Sequence, residues 1–274
     1  MELPPQDLKF ICDLVRERAA IVLEPEKEYL VRARLEPIVK QEGLASLSEL
    51  VMKLRGAPYG KLHERLIEAM TTNETSFFRD LVPFEVLKNT ILPDLLEKRK
   101  NERRLHFWCG ASSSGQEPYT VMIVLREHFP QLSSWKVQFV ATDLSTEMVR
   151  RCQEGKYSQL EVNRGLPANL LVKYFAKKGL MWQVNDDIRN MIEFRQMNLI
   201  GKWLTFPKLD VVFLRNVLIY FDVEIKKQIL RNIREALSPD GYLFLGGSET
   251  TLNLDDAFER VSVSGTSCYR LRQT

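Results

Sequence analysis

Residues 105–119 read Leu-His-Phe-Trp-Cys-Gly-Ala-Ser-Ser-Ser-Gly-Gln-Glu-Pro-Tyr. Leu105 to Cys109 has the apolar run of a buried strand, and every residue from Gly110 to Gly115 is small. A helix is predicted to begin near Glu117-Pro118-Tyr119, since proline is accepted in a first helical turn. In an open α/β sheet, ligands bind at the carboxyl ends of strands, and small residues there let a ligand approach the backbone. The loop is neither GxGxxG nor a P-loop, because no Lys-Ser/Thr follows Gly115. By itself it also fits a tight turn with no ligand.

The next strand candidate, Val137 to Ala141, runs on to Asp143. A carboxylate at that place can accept hydrogen bonds from ribose hydroxyls, which favours a nucleoside cofactor. The missing diphosphate-binding glycines disfavour a nicotinamide cofactor and point to one without phosphates, such as S-adenosylmethionine.

Further strand candidates are Val211 to Leu214, Tyr242 to Leu245 and Cys268 to Leu271. Helices are predicted over Tyr119 to His128, Thr146 to Glu154 and Val223 to Leu237, the last stopped by Ser238-Pro239-Asp240-Gly241. This alternation predicts an α/β fold with an open sheet. Leu166 to Asn198 interrupts it with a short helix and two strands, around Met181 to Val184 and Met191 to Gln196. We expect these to form a small antiparallel insertion (about 166–197) beside the main sheet.

From Gln6 to Met70 apolar residues recur at three- and four-residue spacing, as in Leu8, Ile11, Cys12 and Val15, which predicts a helical bundle. Gly43 and Gly56-Ala57-Pro58-Tyr59-Gly60 punctuate it as turns. Within it, Lys27 to Lys40 reads as a helix with one basic and one buried side. The expected organisation is a helical domain over 1–70 and an α/β domain over 71–274.

The chain has 274 residues, 45% hydrophobic and 27% charged, room enough for one large domain or two modest ones. A net charge of +3 is too small an excess for a protein that lives on nucleic acid. Four cysteines and three histidines lie scattered with no CxxC pair, against both a zinc site and a disulfide framework. Cys109 and Cys268 read as small buried hydrophobes, which suits a reducing compartment. The start, MELPPQDLKF, lacks the basic and apolar regions of a signal peptide, and no apolar run approaches the roughly 20 residues that span a bilayer. A cytoplasmic protein without membrane insertion is expected.

Six segments together resemble the chemotaxis receptor methyltransferases, the CheR family. They are Thr71 to Asp80 (TTNETSFFRD), Trp108 with the loop to Tyr119, Ala141-Thr142-Asp143, Asn198-Leu199, Arg215 to Phe221 (RNVLIYF) and Phe244 to Glu249 (FLGGSE). The resemblance covers residue 71 almost to the end, and the helical N-terminal segment has the matching length. It implies a Rossmann-like S-adenosylmethionine-dependent sheet, with S-adenosylhomocysteine as product. Asn73, Thr75 and Arg79 would reach over the cofactor; Glu117 would receive its amino group; Asp143 would hold the ribose; Asn198 and Leu199 would flank the adenine; Arg215 and Asn216 would line the pocket. Arg79 and Tyr220 would sit nearest the transferred methyl. Without the resemblance, Arg79 reads as a surface charge and Tyr220 as a core aromatic.

The activity implied is methyl esterification of glutamates on the cytoplasmic helical bundles of membrane-bound receptor arrays, by a monomer, with a regulatory protein partner left open. A glutamate carboxylate, with a reference pKa of about 4.3, is already ionised at neutral pH, so the reaction needs alignment more than a base. Arg79 can fork a carboxylate, and Tyr220 can fix one oxygen or the methyl donor. On the N-terminal helix, Arg32, Arg34 and Lys40 are candidates to meet an acidic receptor segment; a solvated charged face is the plain alternative.

Two departures from the family pattern stand out. Cys109-Gly110-Ala111-Ser112 carries the family's small residues in another order, and Leu214 stands where cysteine is common. The hairpin link Ala176-Lys177-Lys178-Gly179 is shorter than in members that grip a receptor's C-terminal pentapeptide, so no such tether is expected. A nucleic-acid methyltransferase is disfavoured, since Arg215-Asn216-Val217-Leu218 replaces Asp/Asn-Pro-Pro-aromatic. A catalytically silent cofactor-binding regulatory module stays open, with Arg79 and Tyr220 arguing against it.

Overall fold

The computed structural model describes residues 3–23, 28–261, 265 and 267–272; Lys27 of the basic helix lies outside them. The chain divides into two compact units, one running up to Thr72 and including Tyr220–Ile225, the other holding Asn73–Ile219 and Lys226 onward.

The first unit contains α1 (Pro5–Ala19), α2 (Glu28–Gln41), α3 (Leu47–Arg55) and α4 (Lys61–Met70). Their buried stripes meet: Ile11 and Val15 from α1, Val31 and Leu35 from α2, Leu50 and Leu54 from α3, Leu66 and Met70 from α4. Ser46 caps α3 by accepting from the Glu49 amide at 3.2 Å. Buried His63 accepts from the Gly60 amide on Nδ1 (3.3 Å), so its Nε2–H donates to the Leu54 carbonyl at 3.1 Å. The α2 face is as expected in its apolar half, with Val31, Leu35, Ile38 and Val39 buried. Its basic half is not uniform. Lys40 is exposed and Arg32 half-buried, whereas Arg34 donates to the Met70 carbonyl at 2.7 Å and to Thr72 Oγ1 at 3.2 Å. Arg34 therefore fastens the end of α4 and is not a free surface cation.

In the second unit, α5 (Val82–Val86), a π-turn (Leu87–Ile91) and α6 (Leu92–Lys98) lead into β1 (Arg104–Gly110). There follow α7 (Gln116–His128), β2 (Lys136–Asp143), α8 (Thr146–Glu154), β3 (Lys156–Ser158), α9 (Gln159–Asn163), α10 (Ala168–Tyr174), β4 (Phe175–Lys178), β5 (Met181–Val184), α11 (Asp186–Arg189), β6 (Ile192–Gln196) and β7 (Leu209–Leu214). The unit closes with α12 (Val223–Ala236), whose first residues belong to the other unit, then β8 (Leu237–Leu245), β9 (Phe258–Arg260) and β10 (Ser267–Leu271). The main sheet has the order β6-β2-β1-β7-β8-β10-β9, with β10 antiparallel to both neighbours and the β6 to β8 pairings parallel. This is a Rossmann-like sheet, and a separate three-stranded antiparallel sheet, β3-β5-β4, accompanies it. Phe213 and Phe244 stack at 4.6 Å in the core, and Cys109 and Cys268 are fully buried there.

Three expectations are corrected. The strand at Met191 to Gln196 is not part of the antiparallel insertion: β6 is the parallel edge strand of the main sheet, with Phe139 opposite Ile192 and Asp143 opposite Gln196. Its alternation buries Ile192 and Phe194, a pattern that does not say which sheet receives the strand. The small sheet is completed by β3, three residues long and without a sequence signal. The helix stop at Ser238 to Gly241 holds, with α12 ending at Ala236, but the strand expected from Tyr242 already begins at Leu237, and the irregularity is absorbed as a register shift opposite Leu209/Val211. Gly241 is required there because a Cβ would stand 2.8 Å from the Leu209 carbonyl oxygen. Finally, Ala176 to Lys178 belongs to β4, so the hairpin link is only Gly179-Leu180, with Gly179 at φ +63.

At the amino end of β7, Arg99 binds buried Asp210 at 3.0 Å and forks Asp240 at 2.5 and 3.0 Å. Asp210 also accepts from the His106 amide at 2.8 Å, joining α6, β1, β7 and β8. Burial pushes the Asp210 carboxyl up, against the pull of Arg99. Arg99→Ala should cost about 3 kcal/mol, since it strands a buried carboxylate. Urea unfolding monitored by circular dichroism measures it.

Candidate functional site

The loop between β1 and α7 is held in a shape few sequences could take. Ala111, Ser113 and Gly115 have φ values of 53, 50 and 95, and a Cβ on Gly110 would meet Trp108 and Leu214 at 2.7 Å. Ser112 donates its amide to the Thr142 carbonyl at 2.9 Å, and Ser113 donates its amide to Asp143 Oδ2 at 2.8 Å. Asp143 Oδ1 accepts from the Ser145 amide at 2.9 Å. The carboxylate ending β2 thus aligns both strand-end loops.

A strap, Asn73 to Asp80, crosses this loop. Ser113 Oγ donates to the Asn73 carbonyl at 2.8 Å, and the Phe78 amide donates to Thr120 Oγ1 at 3.1 Å. Phe78 and Asp80 adopt left-handed φ values of 50 and 63. Gly165 abuts the strap so closely that a Cβ would lie 2.0 Å from the Phe77 carbonyl oxygen. Thr75 lies half-buried in the strap, and half-buried Arg79 donates to the Glu74 carbonyl at 3.0 Å.

Arg215, just beyond β7, is the centre of the constellation. Its side chain is 1% exposed and pairs with Glu117 and, at 2.8 Å, with Asp80; it also donates to the Arg79 carbonyl at 3.1 Å. Its Nε is buried and has no hydrogen-bond partner among the described residues. Burial, and then the neighbouring Glu117 carboxylate, hold the Cys109 thiol well above its ordinary range, so it stays protonated and inert. The Met197 amide donates to the Asp143 carbonyl at 2.9 Å, which brings Asn198 and buried Leu199 beside the end of β2. Trp203 donates to the Leu199 carbonyl at 2.8 Å and packs on Trp108 at 4.9 Å. Asn216 sits at φ 57, its amide bound by Glu249 at 2.8 Å.

The strap residues, Glu117, Asp143, Asn198, Leu199, Arg215 and Asn216 are therefore gathered at the carboxyl ends of β1, β2 and β7. Tyr220, Arg32, Arg34 and Lys40 belong to the other unit. There burial pulls the Arg34 guanidinium below its ordinary pKa, while Tyr220 raises it. Sequence reasoning gave no role to Thr120, Gly165 or Glu249. Glu249, at the end of a Gly-Gly-Ser run, had a legible signal, since small residues leave amides accessible to a carboxylate.

Two family models match this chain: "CheR methyltransferase, all-alpha domain" over residues 6–71 and "CheR methyltransferase, SAM binding domain" over residues 73–266. The chain belongs to the CheR methyltransferase family. It is similar to chemotaxis protein methyltransferase Cher2 of Pseudomonas putida, 42% identical over 263 residues that cover 94% of this chain and 95% of that one. Chemotaxis protein methyltransferase 1 of Pseudomonas aeruginosa is 43% identical, covering 97% and 98%. The chemotaxis protein methyltransferase of Vibrio parahaemolyticus is 38% identical, covering 97% of each.

As a member of this family the chain is an S-adenosylmethionine-dependent methyltransferase, and its residues fit that cofactor. Segments 110–117, 143–145 and 215–219 carry two carboxylates, acceptors that suit the ammonium and hydroxyl groups of that cofactor. The unpartnered Arg215 Nε–H offers a donor to an anionic group. Arg215→Ala should destabilise the protein by about 3–5 kcal/mol, because Glu117 is left without its buried partner. Arg215→Lys should not restore it, as one ammonium cannot bridge Glu117, Asp80 and the Arg79 carbonyl. Urea titrations of the three proteins test both statements.

Proposed function

We propose that this protein methylates glutamate side chains on the cytoplasmic helical bundles of methyl-accepting chemotaxis receptors. The supporting observation is the Arg215-centred constellation in a chain similar throughout its length to chemotaxis protein methyltransferases. The cofactor, when bound, supplies an electrophilic methyl group on a sulfonium.

The chain's residues are assigned as follows. Glu117 takes the cofactor's amino group, Asp143 its ribose hydroxyls, and Asn198 and Leu199 its adenine. Asn73, Thr75, Arg215 and Asn216 complete the pocket. Arg79 forks the incoming carboxylate and Tyr220 fixes one of its oxygens, so the work is alignment and exclusion of water. No general base is needed, since a glutamate is ionised at neutral pH.

Arg32 and Lys40 are proposed to meet the acidic receptor segment, while Arg34 is occupied within its own unit. The two-residue link Gly179-Leu180 leaves little loop to grip a peptide, so substrate recognition works without a C-terminal pentapeptide tether. The protein acts as a monomer recruited to receptor arrays by the substrate itself.

Receptor membranes incubated with methyl-labelled S-adenosylmethionine should yield base-labile label released as methanol. Retained cofactor binding with no transfer would leave only a binding module. Arg32→Glu should raise the apparent KM for receptor about three- to tenfold while cofactor affinity is unchanged, measured by initial rates and calorimetry. A receptor C-terminal pentapeptide should show no measurable binding; a clear isotherm would refute tether independence.

A further inference from the structure

Five backbone amides converge on one buried carboxylate. Glu249 Oε1 accepts from Val217 at 2.8 Å, Leu218 at 2.7 Å and Ile219 at 3.4 Å. Its Oε2 accepts from Gly246 at 2.6 Å and Asn216 at 2.8 Å. Glu249 is 6% exposed, so its carboxylate depends on these amides in place of water. Four of them are consecutive, Asn216 to Ile219, and lead into a short 3-10 turn at Leu218–Tyr220, so they form a concave set of donors that suits an anion.

The turn so gripped begins at Asn216, whose φ of 57 puts it in the left-handed region. It is preceded by Arg215, bound to Glu117 and Asp80, and followed in the chain by Tyr220. Glycine is needed on the opposite side of the grip. A Cβ on Gly246 would lie 2.6 Å from Asn216 Nδ2 and 2.7 Å from Glu249 Oε2.

We propose that Glu249 is a positioning residue, which shapes the Arg215 to Ile219 turn from behind and thereby sets the cofactor pocket. It touches no reacting atom. The proposal rests on the cofactor assignment and adds to it a residue outside the pocket. Its carboxylate cannot be replaced by an amide: glutamine keeps one acceptor oxygen and turns an NH2 group on at least two amide donors.

The test uses the full chain and S-adenosylhomocysteine binding by calorimetry, with thermal midpoints measured in parallel. Glu249→Gln and Gly246→Ala perturb the grip from its two sides, the second with the charge kept. Both should weaken binding by about tenfold or more, as buried amides lose their acceptor. Arg99→Ala, at the amino end of the sheet, should lower the thermal midpoint and leave binding unchanged, which separates positioning from stability. Should Glu249→Gln not fold, Gly246→Ala decides. Wild-type affinity in the clamp variants that fold, or equal weakening in Arg99→Ala, would overturn the proposal. A wild-type protein that binds no S-adenosylhomocysteine would remove the cofactor assignment first and the proposal with it.

Discussion

The buried guanidinium of Arg215 is the constraint around which the α/β unit is arranged. A charge with a side chain 1% exposed survives only when partners surround it, and here they come from two distant parts of the chain. Glu117 opens α7, Asp80 and the Arg79 carbonyl belong to the strap, and Arg215 itself directly follows β7. The planar fork of arginine binds several acceptors in fixed directions, so the strand ends, the helix start and the strap are placed together. The Glu249 grip is the mirror image of this: a buried anion ringed by amides, beginning one residue further on.

The strap illustrates what such placement costs locally. Left-handed φ at Phe78 and Asp80 is unfavourable for side-chain-bearing residues and persists only where neighbours fix it. Thr120 holds the Phe78 amide, Arg215 holds both ends of Arg79-Asp80, and Gly165 admits the Phe77 carbonyl where any side chain would collide. Arg164, adjacent to Gly165, pairs with Glu74. The segment after α9 is thus tied to the strap, linking the neighbourhood of the small antiparallel sheet with the site.

Esterification of an ionised carboxylate, the reaction proposed, is light on proton transfer. Among the described residues there is no cluster of metal-ligating side chains. Cys109 and Cys268 are held as neutral thiols by burial, the latter pushed up to about 12. Ordered amides, hydrogen-bonded carboxylates and one buried guanidinium remain, which are groups suited to orienting a ligand.

Local patterns made much of this protein legible. Apolar runs marked β1, β2, β7 and β10; three- and four-residue spacing marked the N-terminal helices; the small-residue loop and Asp143 marked the ligand end of the sheet. These signals are local, because periodicity and turn chemistry depend on near neighbours. Which sheet received Met191 to Gln196, and that Lys156 to Ser158 was a strand at all, depended on partners far along the chain, and alternation is the same in either sheet. Basic residues on α2 were likewise visible, but Arg34 was spoken for by Met70 and Thr72, which only packing brings near. The sequence by itself determined the types of the longer elements, the family and the acceptor-rich strand ends. Tertiary structure decided the rest, including the gripping of Arg215 and the role of Glu249, because a buried charge takes its meaning from the groups that surround it in space.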